Sequence, residues 1–320
     1  MRKIAVVGAG KIGSAIADML RASGAYQVAV LDRDAAHLAA LPAGDGVERI
    51  SVDVSDSAAL ADALDGAFAV ISAAPYQLTV PIARAVKIAG AHYLDLTEDV
   101  ASTREVRALA QDADSAFIPQ CGLAPGFISI VASDMARRFD DLHEVRLRVG
   151  ALPRYPTNGL NYNLTWSTEG VINEYCEPCE AIVQGRRQEV AALEGLEEFA
   201  LDGVAYEAFN TSGGLGSLCE TLAGKVRNLN YRTIRYPGHA GVMRTLLDDL
   251  GLRHRRDLLT DILEHAVPAT MQDVVIVFVT VSGMKAGALM QETYVNKIYA
   301  QPVAGTQKSA IQITTAASVC

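Results

Sequence analysis

At 320 residues, half of them hydrophobic and a fifth charged, the chain is long enough for two globular domains with sizeable cores. A formal net charge of −9 argues against nucleic acid or an anionic membrane as the main partner. A strand that begins by residue 4 leaves no room for a signal peptide, and no apolar run approaches the ~20 residues of a membrane span, so a cytoplasmic protein is expected.

Ile4 to Val7 reads as a buried strand. Gly8, Gly10 and Gly13 follow at the spacing G-x-G-x-x-G. Ile12, Ile16, Met19 and Leu20 then mark one face of a helix that Gly24 closes. Strand, tight turn and helix start in that order bind a dinucleotide pyrophosphate. Gly8 allows the turn, Gly10 lets the backbone approach the phosphates, and Gly13 lets the helix lie close to the strand. Lys11 and Ile12 open the helix, where free N–H groups meet the anion.

Gln27 to Leu31 reads as a second strand ending in Asp32, nineteen positions after Gly13. A carboxylate there accepts hydrogen bonds from the adenosine ribose hydroxyls, which favours NAD. Arg33 either meets the 2′-phosphate of NADP or is a solvated loop arginine, so NADP stays open. Val47 to Val54 is a third strand. Asp53, at its end, is an adenine contact, a loop acid or a helix cap. Ser57 to Leu64 is helical. Phe68 to Ala73 is a fourth strand, and the small residues Ala73, Ala74 and Pro75 at its carboxyl end leave room for a cofactor. A helix over Pro81 to Ala89, a strand over His92 to Leu96, a helix over Thr103 to Ala113 and a strand over Ala116 to Pro119 follow. The turn Cys121 to Gly126, with Gly122 beside the cofactor, leads into a helix over Phe127 to Phe139. This alternation implies an α/β domain over 1–141 built on a doubly wound parallel sheet.

The pattern changes near Leu142. Strand-like runs at Val145 to Leu152, Ala181 to Val190, Ala205 to Phe209 and Asn228 to Arg235 are interrupted by a short helix over Thr168 to Tyr175. Helices over His239 to Leu250 and Arg255 to His265 precede two long strands, Asp273 to Ser282 and Leu289 to Tyr299, joined as a hairpin. This is an α+β domain over 142–305 with a largely antiparallel sheet. Residues 306–320 return to helix and are expected to pack on the first domain.

Five cysteines without an export signal indicate a reducing compartment. Cys176 and Cys179 are a redox or metal pair, or two unrelated thiols near a helix end. No second pair completes a zinc site, so no metal is expected.

In doubly wound sheets the ligand sits outside the carboxyl ends of the strands, which selects Tyr76, Asp95, Glu98 and the Gly122 to Gly126 turn. Several blocks together then resemble the saccharopine dehydrogenase-like family: Gly8 to Gly13, Ala73 to Gln77, Cys121 to Gly126, Thr211-Ser-Gly-Gly214 and Arg235-Tyr-Pro-Gly-His239. Within it they look most like the L-lysine 6-dehydrogenase branch. Saccharopine-forming relatives usually carry aspartate where this chain has Ala124. The resemblance implies a Rossmann domain, a second domain for substrate and dimerisation, hence a homodimer, and NAD(P)-dependent oxidation at a C–N bond of an amino acid. Alternatives are a saccharopine or carboxynorspermidine dehydrogenase-type enzyme acting on a secondary amine, and a dinucleotide-binding regulator without turnover.

Amine oxidation needs a base, and histidine most often titrates near neutral pH. His239 is the first candidate, or else a helix-start histidine bonded to backbone. Asp95 is a counter-charge for the substrate ammonium or a base, or else a helix cap. Arg235 would hold a substrate carboxylate through two parallel hydrogen bonds, or else forms an ion pair. Thr211, Ser212 and Gly213 offer hydroxyls and N–H groups for an anion nest, or else form an ordinary turn. Tyr76 lines the pocket, and Tyr162 shares in proton transfer, or both simply pack.

Overall fold

The structure, a computed structural model, describes residues 1–41 and 46–320. The chain divides into two compact units, one of residues 1–123, 302–308 and 312–320, the other of residues 124–301 and 309–311.

The first unit runs β1 (Arg2–Val7), α1 (Lys11–Ser23), β2 (Tyr26–Asp32), α2 (Ala35–Ala40), β3 (Val47–Ser51), α3 (Ser57–Ala63), β4 (Ala69–Ser72), α4 (Thr79–Ala89), β5 (His92–Asp95), α5 (Val100–Ala110) and β6 (Phe117–Ile118). The strands form one parallel sheet in the order β3-β2-β1-β4-β5-β6. Successive β1 side chains point to opposite faces, so both faces are apolar. Ile4 and Val6 pack with Ile16 and Leu20 of α1, while Ala5 and Val7 pack with Leu60, Ile82 and Val86 of α3 and α4. Asp34, Asp56 and Asp99 cap α2, α3 and α5 by accepting backbone N–H bonds, and Gly24 and Gly90 close α1 and α4 in the left-handed region.

The second unit contains α6 (Phe127–Ala136), β7 (Asp141–Pro153), α7 (Thr168–Cys176), β8 (Cys179–Val183), β9 (Arg186–Val190), β10 (Glu197–Leu201), β11 (Val204–Asn210), α8 (Leu218–Thr221), β12 (Val226–Arg235), α9 (His239–Arg244), α10 (Arg256–Ala266), β13 (Asp273–Lys285) and β14 (Ala288–Tyr299). Its sheet runs β10-β11-β12-β7-β13-β14, with β8 and β9 branching from β12. Only the β12–β7 pair is parallel among its described pairings. One face carries a core of Tyr175, Phe209, Met243, Leu247 and Leu263, and the other a core of Leu152, Tyr206, Ile234 and Ile276. β15 (Gln301–Val303) pairs with β16 (Thr306–Lys308), and α11 (Ala310–Val319) ends the chain.

Several expected elements change. The unit boundary falls after Leu123 and not after 141, because α6 packs against β7 and β13. The run Ala181 to Val190 is a hairpin, β8–β9, turning at Gln184 and Gly185, both with positive φ. β10, unforeseen, pairs with β11 across Asp202-Gly203. The helix from His239 loosens after Arg244 into a wider turn, in which Leu250 N–H reaches the Thr245 carbonyl at 2.9 Å. The last helix starts at Ala310, four residues after the expected start, because Thr306 to Lys308 are paired strand.

Candidate cofactor and active-site residues

In the first unit the glycine turn is built as its three glycines require. Gly8 lies at φ 103°, and a Cβ there would sit 2.9 Å from the Ala73 carbonyl oxygen. A Cβ on Gly13 would sit 1.8 Å from the Gly8 oxygen. A Cβ on Gly10 would meet nothing within 4 Å, so space stands open over that part of the turn. The first helical turn of α1 presents its N–H groups beside that space.

Asp32 ends β2 half-buried. Its Oδ2 accepts the Ala9 N–H at 2.7 Å and its Oδ1 accepts the Asp34 N–H at 2.8 Å. A carboxylate has about four acceptor positions, so ribose hydroxyls still find lone pairs there. These residues fit a dinucleotide: open space over Gly10, helix N–H groups for the pyrophosphate, and an acid for the ribose. His37 Nδ1, which sequence reasoning passed over, stands 3.7 Å from Asp32 Oδ2. Arg33 is exposed. Asp53 is exposed and accepts both the N–H and the hydroxyl of Ser55, so it shapes the loop before α3. Ala73 donates its N–H to the Val7 carbonyl at 2.8 Å, which holds Ala73, Ala74 and Pro75 beside the turn.

At the end of β5, Asp95 is 1% exposed. It is no helix cap, since Asp99 caps α5. Its Oδ1 accepts N–H bonds from Thr97 at 3.2 Å and Gln120 at 2.9 Å, while its carbonyl accepts the Cys121 N–H. Its Oδ2 is buried with no hydrogen-bond partner among the described residues. Burial pushes its pKa up. Glu98, three residues on, is pushed up to about 7 by burial and by the neighbouring Asp99 and Asp95 charges. Tyr76 is half-buried in a single helical turn, and its carbonyl accepts the Ser102 hydroxyl. Gly122 is buried in the turn after Cys121.

In the second unit Arg235, His239 and Tyr162 come together, far apart in sequence but in one buried cluster. Arg235 ends β12 and is 1% exposed. Its Nε donates to the Tyr175 hydroxyl at 2.8 Å, one terminal nitrogen to Thr233 and the Ile234 carbonyl, and the other to Glu174 at 3.2 Å. His239 Nδ1 donates to the Leu160 carbonyl at 2.8 Å. That carbonyl can only accept, so Nδ1 carries the ring proton and Nε2 of the neutral His239 accepts the Tyr175 hydroxyl at 3.1 Å. The tautomer is thus fixed by its neighbours. Burial and the Arg235 charge push His239 down to about 3. The Tyr162 ring lies under the guanidinium, 5.1 Å from its carbon, and burial raises its hydroxyl pKa.

Both nitrogens of His239 are therefore engaged, and it stays neutral at pH 7. The guanidinium of Arg235 faces Glu174 and Tyr175. The Thr-Ser-Gly-Gly turn is likewise committed: Ser212 donates its N–H to the Glu174 carbonyl and its hydroxyl to the Pro178 carbonyl. A Cβ on Gly214 would sit 2.2 Å from the Tyr231 ring. Thr211 Oγ1 is buried without a partner among the described residues, and Gly213 sits at φ 85°. Sequence reasoning missed Glu174, Tyr175 and Glu207. The last accepts the N–H groups of Gly238 and Ala240 and so fixes the start of α9. The one signal for them was acids and a tyrosine on otherwise apolar faces. All five cysteines are free, and no group of metal ligands occurs among the described residues. No helix among the described residues is long and apolar enough to cross a membrane.

A six-stranded parallel sheet in this order, carrying this turn and this acid, defines an NAD(P)-binding oxidoreductase of the Rossmann class. Residues 4–118 match the saccharopine dehydrogenase NADP binding domain and residues 122–319 the saccharopine dehydrogenase C-terminal domain. The chain belongs to the saccharopine dehydrogenase family. In fold it is similar to apo saccharopine dehydrogenase (L-Glu forming) from Saccharomyces cerevisiae, with a TM-score of 0.81 at 18% identity, over 100% of this chain and 89% of that one. It is also similar to homospermidine synthase from Legionella pneumophila, solved with NAD, with a TM-score of 0.64 at 14% identity, over 99% and 82%.

Proposed function

We propose that the chain oxidises a C–N bond of an amino acid, with the side-chain amine of lysine as the leading substrate and NAD as the preferred carrier. The observation that carries this reading is the acid pair at the carboxyl end of β5. The Asp95 carboxylate, with a buried oxygen lacking a hydrogen-bond partner among the described residues, suits an ammonium group. Glu98, with its pKa near 7, suits the proton the amine must lose. A bound nicotinamide would accept the hydride. The Asp32 carboxylate favours a ribose hydroxyl and repels a 2′-phosphate, which supports NAD over NADP. In this reading Arg235, Tyr175 and His239 hold the second unit rigid, and Glu98 takes the role of base that the sequence suggested for His239. Ala124 in place of the usual aspartate supports lysine over saccharopine. The same reading includes a homodimer, which light scattering on a sizing column tests.

The test follows cofactor reduction with NAD and NADP on L-lysine, ornithine, saccharopine and carboxylated polyamines. Lysine with NAD should be fastest; turnover of saccharopine or a polyamine alone would move the substrate to a secondary amine. A base must be ionised to work, so kcat/KM should rise with pH through about 7 and then level. Glu98→Gln should lower kcat by roughly 10²–10⁴-fold and remove that rise. A variant with an unchanged pH profile would exclude Glu98 as the base.

A further inference from the structure

Gln312 lies in α11, within the part of that helix that belongs to the first unit, and it is 5% exposed. A buried carboxamide on an apolar helix needs a partner, and here its Nε2 donates to the carbonyl oxygen of Lys11 at 2.7 Å. Lys11 is the first residue of α1, directly after the Gly10 N-cap. The first intrahelical bond runs from Ser14 N–H to the Gly10 carbonyl, so the N–H groups just before it have no carbonyl one turn earlier.

The Lys11 carbonyl and the Ile12 N–H belong to one planar peptide group and point in opposite directions. Fixing the carbonyl from one side therefore fixes the N–H on the other, the side that opens toward the space over Gly10. A carbonyl that accepts a hydrogen bond also polarises its peptide group and strengthens the N–H as a donor.

We propose that Gln312 is a positioning residue for the cofactor: it holds the Lys11–Ile12 peptide so that its N–H meets the dinucleotide pyrophosphate. The neighbouring contacts hold the same segment in place. The Lys308 ammonium pairs with the buried carboxylate of Asp18 on α1, and Ala316 and Val319 pack with Ile16 and Leu20. The inference rests on the dinucleotide-binding turn and is independent of the substrate proposed above.

Gln312→Met keeps the bulk and removes the donor; Gln312→Leu removes the donor with a shorter apolar side chain. NADH binding is read by fluorescence titration, with ADP-ribose and adenosine as competitors. Loss of one neutral hydrogen bond acting at the pyrophosphate should weaken NADH and ADP-ribose about fivefold and leave adenosine unchanged. In turnover, the KM for the cofactor should rise while kcat at saturation holds. Should Gln312→Met fail to fold, Gln312→Leu carries the same comparison. Wild-type affinity for NADH in the variants, or an equal loss for adenosine, overturns the proposal. Wild-type protein that binds no NADH refutes the cofactor site itself.

Discussion

Gly10 and Gly13 stand three residues apart in one turn, yet the reasons for having glycine differ. Gly10 has an ordinary negative φ and open space where a Cβ would go, so a side chain there disturbs only a ligand. Gly13 faces the Gly8 carbonyl so closely that any side chain must move the turn. Gly10→Val should therefore unfold at the wild-type temperature but lose NADH binding. Gly13→Ala should lose both, at a stability cost of ~1–3 kcal/mol from overpacking. Thermal denaturation beside NADH titration separates the two; equal melting losses would reject the distinction. Such local chemistry was open to reading because spacing and φ are set within a few residues. The acids at β5 were legible only as positions. What burial does to Asp95 is offset by Gln120 and Tyr93, and what it does to Glu98 is reinforced by Asp95 and Asp99; both depend on packing that no local pattern reveals.

Elements, and not single residues, create the environment of His239. β12 brings Arg235, α7 brings Glu174 and Tyr175, and α9 brings His239, so each group meets its partner only once the sheet and both helices are packed. The two motifs were visible in sequence, but their pairing with α7 was not, because the contacts span about sixty residues. The hairpins show a similar limit. Asp202-Gly203 is a strong two-residue turn signal, yet the run before it, two acids and then Phe199, Ala200 and Leu201, lacks the alternation that marks a strand. The buried imidazole has a measurable consequence. Its pKa is about 3 when folded and near 6.5 when unfolded, so the unfolded chain binds the extra proton between those values. His239 thus contributes stability that is present above about 6.5 and is lost as pH falls toward about 3. Urea midpoints measured downward from pH 7 should fall, and His239→Gln, though less stable at pH 7, should fall less steeply. Parallel pH slopes would show that the imidazole is not the group responsible.

At the scale of the whole chain, the first unit is discontinuous: the sheet is made by residues 1–123, yet residues 302–308 and 312–320 belong to it. The connection is polar as well as apolar. Asp18 is buried on the inner face of α1, Lys308 is buried opposite it, and the Thr306 hydroxyl lies 3.4 Å from the same carboxylate oxygen. An acid on the apolar side of the cofactor helix makes no sense until the far end of the chain supplies the cation, which is why it could not be read from the helix alone. A buried ion pair adds little over an apolar pair of the same size, but half of one is costly. Lys308→Met leaves the Asp18 carboxylate buried without its cation and should destabilise the protein by ~3–5 kcal/mol in urea titrations. Adding Asp18→Leu removes the stranded charge and should restore most of that loss. Two single variants and the double variant close the cycle. If the double variant loses the sum of the singles, the two side chains act independently, and the ion pair is not what holds the chain end to the cofactor helix.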